Sequence, residues 1–203
     1  MKIAVIGATG NVGSRIVAEA LRRGHTVTAI ARDPAKLAPQ SGLTPVRADA
    51  SDPSALAQVL AGHDAVVSSI RFTESDPQAL IGAVRESGVK RYLVVGGAGS
   101  LEVAPGKLLI DAPGFPAAAR AESGAGKAFL DALRAAGDLD WTFLSPSALF
   151  TAGERTGNYR LGDETLLTAA DGKSWISYED FAQALLDETE HPAHVRRRFT
   201  VGY

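Results

Sequence analysis

Three glycines, at positions 7, 10 and 13, separate the apolar run KIAVI (residues 2–6) from the amphipathic stretch NVGSRIVAEALRR that begins at Asn11. No other feature constrains the fold so strongly, because this spacing makes sense where a strand turns straight into a helix. Gly7 permits a tight turn out of the strand. Gly10 lets a ligand approach the main chain with no Cβ in the way, and Gly13 lets the helix pack closely on the strand. The unpaired N–H groups and positive dipole end of that helix suit an anion, above all the diphosphate of a dinucleotide. Thr9 and Asn11 offer side-chain hydrogen bonds, and Val12 lies in the same binding turn. A glycine-rich turn without a ligand is the bland alternative. No GK[ST] follows at the required spacing, which excludes a P-loop.

The rest of the chain continues the alternation. Apolar runs at 26–31, 44–48, 64–70, 91–97, 140–145 and 197–201 are separated by helical patterns such as PSALAQVLAG, PQALIGAVRESG and GKAFLDALRAAG. This predicts an α/β fold, a doubly wound parallel sheet with helices on both faces. Asp-Pro recurs at 33–34, 52–53 and 76–77, shortly after three of the predicted strands. Asp is favoured at an N-cap and Pro at the first helical position. Each pair therefore predicts a helix start at the carboxyl edge of the sheet, where open α/β sheets bind ligands. Residues 99–126 are too long for a routine connection and read as a substrate lid, or as a partly disordered insertion. Residues 157–176 read as two short strands around a turn, and SYEDFAQALLDETEHP as a final helix entered through Ser177. There is no internal repeat or linker. Residues 1–203 are expected to form one domain, with a cofactor half over about 1–98 and a lid and small C-terminal substrate-side region over about 99–180.

The second apolar run ends in Ala31-Arg32, roughly 20 residues past the glycines, where an NAD-binding unit usually places an acid on the adenosine ribose. An arginine at this corner fits a 2′-phosphate and favours NADP(H), with NAD as the second choice. The alternative is an exposed arginine that merely begins a loop, and Asp33 is close enough to oppose a phosphate. Asp49 and Ala50, in ADASDP, read either as a contact to the adenine edge or as a brace for the turn before Asp52 and Pro53. Ser68, Ser69 and Ile70 end the fourth run, where small residues leave room for ribose. Gly96 and Gly97 end the fifth and keep a crevice open, although packing explains either group as well.

Composition narrows the partners. A formal net charge of −2 gives no general attraction to nucleic acid or an anionic membrane. No apolar run approaches the roughly 18 residues of a span. The start MKIAVIGATG lacks the basic flank and cleavage site of a signal peptide, so a cytoplasmic location is expected. Absence of cysteine removes disulfides and thiol catalysis. His191 and His194 have HxxH spacing but no further ligands, so no metal is expected. They read as a solvated helix end, followed by an outward-facing edge strand that begins in Arg196-Arg197-Arg198. His25 and His63 fall in turns before strands and are expected to face water.

Taken together, GATGNVGSRIVAEAL, ADASDPSAL, DAVVSS, ESGVKRYLVVGG and WISYEDFAQALL resemble the atypical short-chain dehydrogenase/reductase superfamily. More narrowly, the chain is similar to its small NAD(P)H-binding group of NADH–flavin reductases. Biliverdin-reductase-B-like proteins and NmrA-like redox sensors are relatives. The resemblance implies a Rossmann-type sheet of about seven strands, with substrate near the nicotinamide between the lid and the sixth strand. The superfamily's usual catalytic pair is a Tyr followed four residues later by Lys. None of Tyr92, Tyr159, Tyr178 and Tyr203 has Lys at that spacing.

This departure argues against ordinary alcohol or sugar dehydrogenation. It leaves hydride transfer to a flat small-molecule acceptor such as FMN, riboflavin or a quinone, where positioning does most of the work. The alternative is a non-catalytic NADP(H)-binding redox sensor of the NmrA-like type, and an epimerase ranks third. On the substrate side the resemblance points loosely to Ser100, and Ser147 and Phe150 follow the sixth run; Ser100 and Ser147 are the catalytic candidates. Pro146 and Ser147 offer backbone groups to the nicotinamide. Phe115 either caps an aromatic substrate or packs in the core. Lys127, taken as a helix start, either contacts the cofactor or is solvated. A monomer or homodimer is expected.

Overall fold

The computed structural model describes all 203 residues. Strands β1 (Lys2–Ile6), β2 (Thr26–Ala31), β3 (Leu43–Arg47), β4 (Ala65–Ser68) and β5 (Arg91–Val95) alternate with helices α1 (Asn11–Arg22), α2 (Pro53–Leu60) and α3 (Pro77–Ser87). A two-stranded ribbon, β6 (Glu102–Ala104) and β7 (Lys107–Leu108), precedes α4 (Arg120–Ala135) and β8 (Asp140–Pro146). The chain ends with β9 (Leu149–Thr151), β10 (Arg160–Gly162), β11 (Trp175–Ser177), α5 (Tyr178–Glu190) and β12 (Arg197–Gly202). The main sheet has eight strands in the order β10-β12-β8-β5-β4-β1-β2-β3, and only β10 runs antiparallel to its neighbour. From β1 the chain first builds outward through β2 and β3, then returns to β4 on the other side. The loops leaving β1 and β4 therefore diverge and open a crevice at their carboxyl ends.

Both faces of the sheet are covered. One carries a cluster of 22 buried residues that includes Leu56, Leu80 and Phe129 from α2, α3 and α4. The other carries 21, including Ile16 from α1 and Phe181 and Leu185 from α5. Near-equal cores explain why AVVS in β4 and RYLVV in β5 are buried at every position, with no alternation of apolar and polar residues.

Several expectations need correction. Asp52 and Asp76 cap α2 and α3, accepting from Ala55 N at 3.0 Å and Gln78 N at 2.8 Å. Asp33 caps nothing, and Pro34 opens only a three-residue 3-10 turn. The final helix is entered through Ser177 as expected, with its hydroxyl accepting from Asp180 N at 3.0 Å. Helix α4 starts at Arg120, inside the stretch read as a lid, because Glu122 clamps the Phe72 and Thr73 N–H groups and Phe72 packs on Gly126. Lys127 thus lies within the helix and pairs with Asp131 at 2.8 Å on the exposed face.

The arginine run does not sit on an edge strand. β10 covers β12, and Arg198 is buried, donating to Ser100 Oγ at 3.0 Å and to Glu164. The two strands expected around a turn at 157–176 are β10 and β11, which join different sheets. The histidines are less solvated than expected. His25 bonds Glu190 at 2.8 Å, His63 bonds Thr28 Oγ1 at 2.7 Å, and His194 bonds Glu188 at 2.8 Å while stacking on Phe199.

Candidate functional site

The glycine turn is built as its spacing predicts. Gly7 has φ +82°, and a Cβ there would lie 2.4 Å from Ser69 O. At Gly13 a Cβ would lie 2.1 Å from Gly7 O, so that residue is fixed by the closeness of helix and turn. Gly10 differs. Its Cβ would come no nearer than 3.3 Å to any protein atom, and its φ is an ordinary −73°. That contact is tight but far less prohibitive than those at Gly7 and Gly13. A bare main chain at Gly10 makes sense for something approaching from outside.

Helix α1 begins open. Gly10 N donates back to Gly7 O and Ser14 N to Gly10 O, leaving the N–H groups of Asn11, Val12 and Gly13 without a protein acceptor. No side chain caps this end and no acid lies in its first turn, whereas α2, α3 and α5 are all side-chain capped. Three unused donors and a positive dipole end on a glycine floor fit a diphosphate.

A cavity of about 360 Å³ lies over this turn and the carboxyl ends of β1, β2 and β4. Of the residues singled out from sequence, Gly7, Thr9, Gly10, Arg32, Asp49, Ala50, Ser69 and Ile70 line it. Ser68 does not, because it is buried within β4. Asn11 and Val12 do not line it either; their free N–H groups belong to the helix start that directly follows Gly10, which does. Sequence reasoning missed Lys36, Arg71 and Glu74, which join Arg32, Asp33 and Asp49 at the mouth. Lys36 and Glu74 sit on single 3-10 turns, too short to carry a periodic signal.

Arg32 is 76% exposed and reaches Glu74 at 3.3 Å, a pair too solvated to hold it strongly. It remains free to take an anion. Asp49 Oδ1 accepts from Ser51 N and Ser51 Oγ, both at 2.9 Å, so it braces the turn while also lining the cavity. Those bonds hold its carboxyl below the usual carboxylate range.

Next to this cavity, over the carboxyl ends of β5 and β8, lies a second of about 420 Å³. The lid contributes Leu109, Pro113, Phe115 and Pro116, while Pro146, Ser147 and Phe150 rise from the sheet side. Phe115 is therefore a lid residue, and Arg120 stacks over its ring at 5.6 Å. Phe150 is held by Tyr178 and Phe181, each with ring centroids 4.7 Å away. Gly96 is required by packing, since a Cβ would lie 2.4 Å from the Phe143 ring; Gly97 is not, and it leaves the crevice open.

The two serines do not come together. Ser147 lines the cavity, but its hydroxyl donates to Val201 O at 3.1 Å. Ser100 is buried, accepts from Arg198 and lines neither cavity, which corrects its expected place beside the reacting groups. No tyrosine lines either cavity. Burial raises the Tyr92 phenol, burial and Asp187 raise Tyr159, and burial and Asp180 raise Tyr203.

A family profile described as NAD(P)H-binding matches residues 7–192. Solved structures agree along the whole chain. A candidate exported protein of Burkholderia pseudomallei is 45% identical with a TM-score of 0.91, covering 100% of both chains. A candidate epimerase of Bacteroides thetaiotaomicron is 42% identical with a TM-score of 0.95, covering 100% of this chain and 96% of that one. A candidate NADH-flavin reductase of Streptococcus pneumoniae is 37% identical with a TM-score of 0.84, covering 100% of this chain and 99% of the other.

Proposed function

The chain belongs to the NAD(P)H-binding family, and from that premise we propose that it is an NADPH-dependent oxidoreductase that passes hydride to a flat acceptor such as a flavin or a quinone. The observation that carries this reading is the adjacency of two unlike cavities on one sheet edge, one polar around an open helix end and one apolar under a lid. The free N–H groups of residues 11–13 would hold the diphosphate, and Arg32, with Lys36 nearby, the 2′-phosphate. The adenosine would lie along Asp49 and Ala50, and the ribose by Ser69 and Ile70. When bound, the reduced nicotinamide supplies two electrons and one proton as hydride.

The chain's own residues then do the positioning. Pro146 and Ser147 present main chain in the second cavity. Phe115 and Phe150 hold a planar ring beneath the lid. A second proton reaches the reduced acceptor from solvent, since no side-chain acid stands in the cavity. One observation favours a second reading, a redox sensor. Ser147 donates its hydroxyl to Val201 O, and Ser100, bonded to Arg198, lines neither cavity. Purified protein mixed with NADPH and a panel of flavins, quinones and tetrapyrrole dyes separates the two. Loss of NADPH absorbance is expected with at least one planar acceptor. Tight NADPH binding without turnover of any of them supports the sensor.

No helix is long and apolar enough to cross a membrane, and no group of three or more His, Cys, Asp or Glu side chains is placed to hold a metal ion. A cytoplasmic monomer or homodimer remains the proposed form.

A further inference from the structure

Building on the reductase reading, we infer that the acceptor cavity selects uncharged planar acceptors, quinones and unphosphorylated isoalloxazines, over acceptors that carry a phosphate, sulfonate or carboxylate. The two cavities differ most in charge. The mouth of the first bears three basic and three acidic side chains. Among the 16 residues lining the second there is no Asp, Glu, Lys, Arg or His. Its walls are aliphatic and aromatic, and its only side-chain hydroxyls belong to Ser123 and Ser147. Because Ser147 already donates to Val201 O, the Ser123 hydroxyl is the one uncommitted side-chain donor.

Charged groups around this cavity are held by other partners or exposed, and none of them lines it. Arg120 donates to Ile110 O at 3.1 Å and lies over the Phe115 ring. Glu122 is taken by Phe72 N and the N–H and hydroxyl of Thr73. Lys127 is held by Asp131, and Arg198 is committed to Ser100 and Glu164. Asp111, on the lid, is exposed.

An ionised group moved into such a space loses its water and meets no counter-charge, a large penalty. A quinone or isoalloxazine carbonyl gives up far less and can regain a bond from Ser123. The volume, about 420 Å³, suits a two- or three-ring system held between Phe115 and Phe150.

The test uses matched pairs on the full chain. Flavin fluorescence quenching, with NADP⁺ present, gives dissociation constants for riboflavin and FMN without any turnover. Steady-state kcat/KM is then compared for 1,4-naphthoquinone and 1,4-naphthoquinone-2-sulfonate, each corrected for its uncatalysed reaction with NADPH. The charged member of each pair is expected to be worse by about tenfold or more. Ala119→Lys, which adds an ammonium group at the cavity wall, is expected to narrow the ratio of FMN to riboflavin dissociation constants at least about threefold. Equal or tighter FMN binding overturns the inference, as does failure of both flavins to bind. So does FMN binding that Arg120→Ala weakens, since an anion would then have its cation. If riboflavin binds preferentially but no acceptor is reduced, the selectivity stands and the reductase reading falls.

Discussion

The two cavities share one sheet edge but are made of different material. The first has a main-chain floor: a left-handed glycine, bare Gly10 and, just beyond it, three free N–H groups. The second is shaped chiefly by side chains: prolines and aromatics brought together from the lid, the end of β8 and the start of β9. A site of main chain is unforgiving, because each atom also belongs to the fold. A site of side chains can change its ligand while the sheet stays as it is.

The comparison can be broken most directly at Gly13. Gly13→Ala puts a methyl group 2.1 Å from Gly7 O, so helix and turn must separate. About 1–3 kcal/mol of stability is expected to be lost, together with NADPH binding, read by thermal melting and calorimetry. Gly10→Ala is the milder counterpart: with a Cβ 3.3 Å from Gly7 O it is expected to lose less stability than Gly13→Ala, while still weakening binding.

Glu19 probes the joint between the two halves. It sits on α1 and receives Arg22 at 2.6 Å, Arg23 at 2.7 Å and Arg155, from the second half, at 2.9 Å. Burial alone would raise its carboxyl, but these bonds outweigh burial and hold it well below the usual range. A depressed folded pKa means stability that is present above the unfolded value, about 4.3, and lost as pH falls toward the folded one. Glu19→Gln is expected to cost about 2 kcal/mol near pH 7. The gap from the wild type should shrink steadily in melts below about pH 4; a gap that does not change with pH refutes the assignment.

Phe115→Ala sharpens the division of labour. Acceptor kcat/KM should fall about tenfold, equivalent to about 1.4 kcal/mol of lost ring contact, while NADPH affinity stays level in calorimetry. Arg32→Ala should have the smallest effect. Its side chain is solvated, so about 1 kcal/mol, or roughly fivefold, is expected for NADPH and nothing for NADH. Equal losses for both coenzymes would remove the 2′-phosphate from its role.

Legibility followed the same division. The glycine turn, Arg32 and the strands of the first half could be read because local spacing dictates local main chain; β1 and β2 match their predicted ranges residue for residue. The second half depends on partners distant in sequence. Helix α4 starts early because Glu122 and Gly126 meet residues 72 and 73, some 50 positions away, and no periodicity announces that. Ser100 stood in the expected place along the chain, yet Arg198, 98 residues on, takes its hydroxyl out of the site. The same buried arginine defeats the expectation of an outward-facing basic run, since β10 closes over its strand.

That closing strand has a consequence for growth. β10 is three residues long, runs against its neighbour and needs no crossover helix. The excursion that follows it turns at Asp171 and Gly172, both exposed, where Gly172 has φ +80° and no neighbour within 4 Å of a Cβ. Extra residues spliced there would extend only a surface loop, at roughly 0.6 kcal/mol for each doubling of its length. A bulky appendage, a reporter or a tether could be hung on this corner, which lines neither ligand chamber.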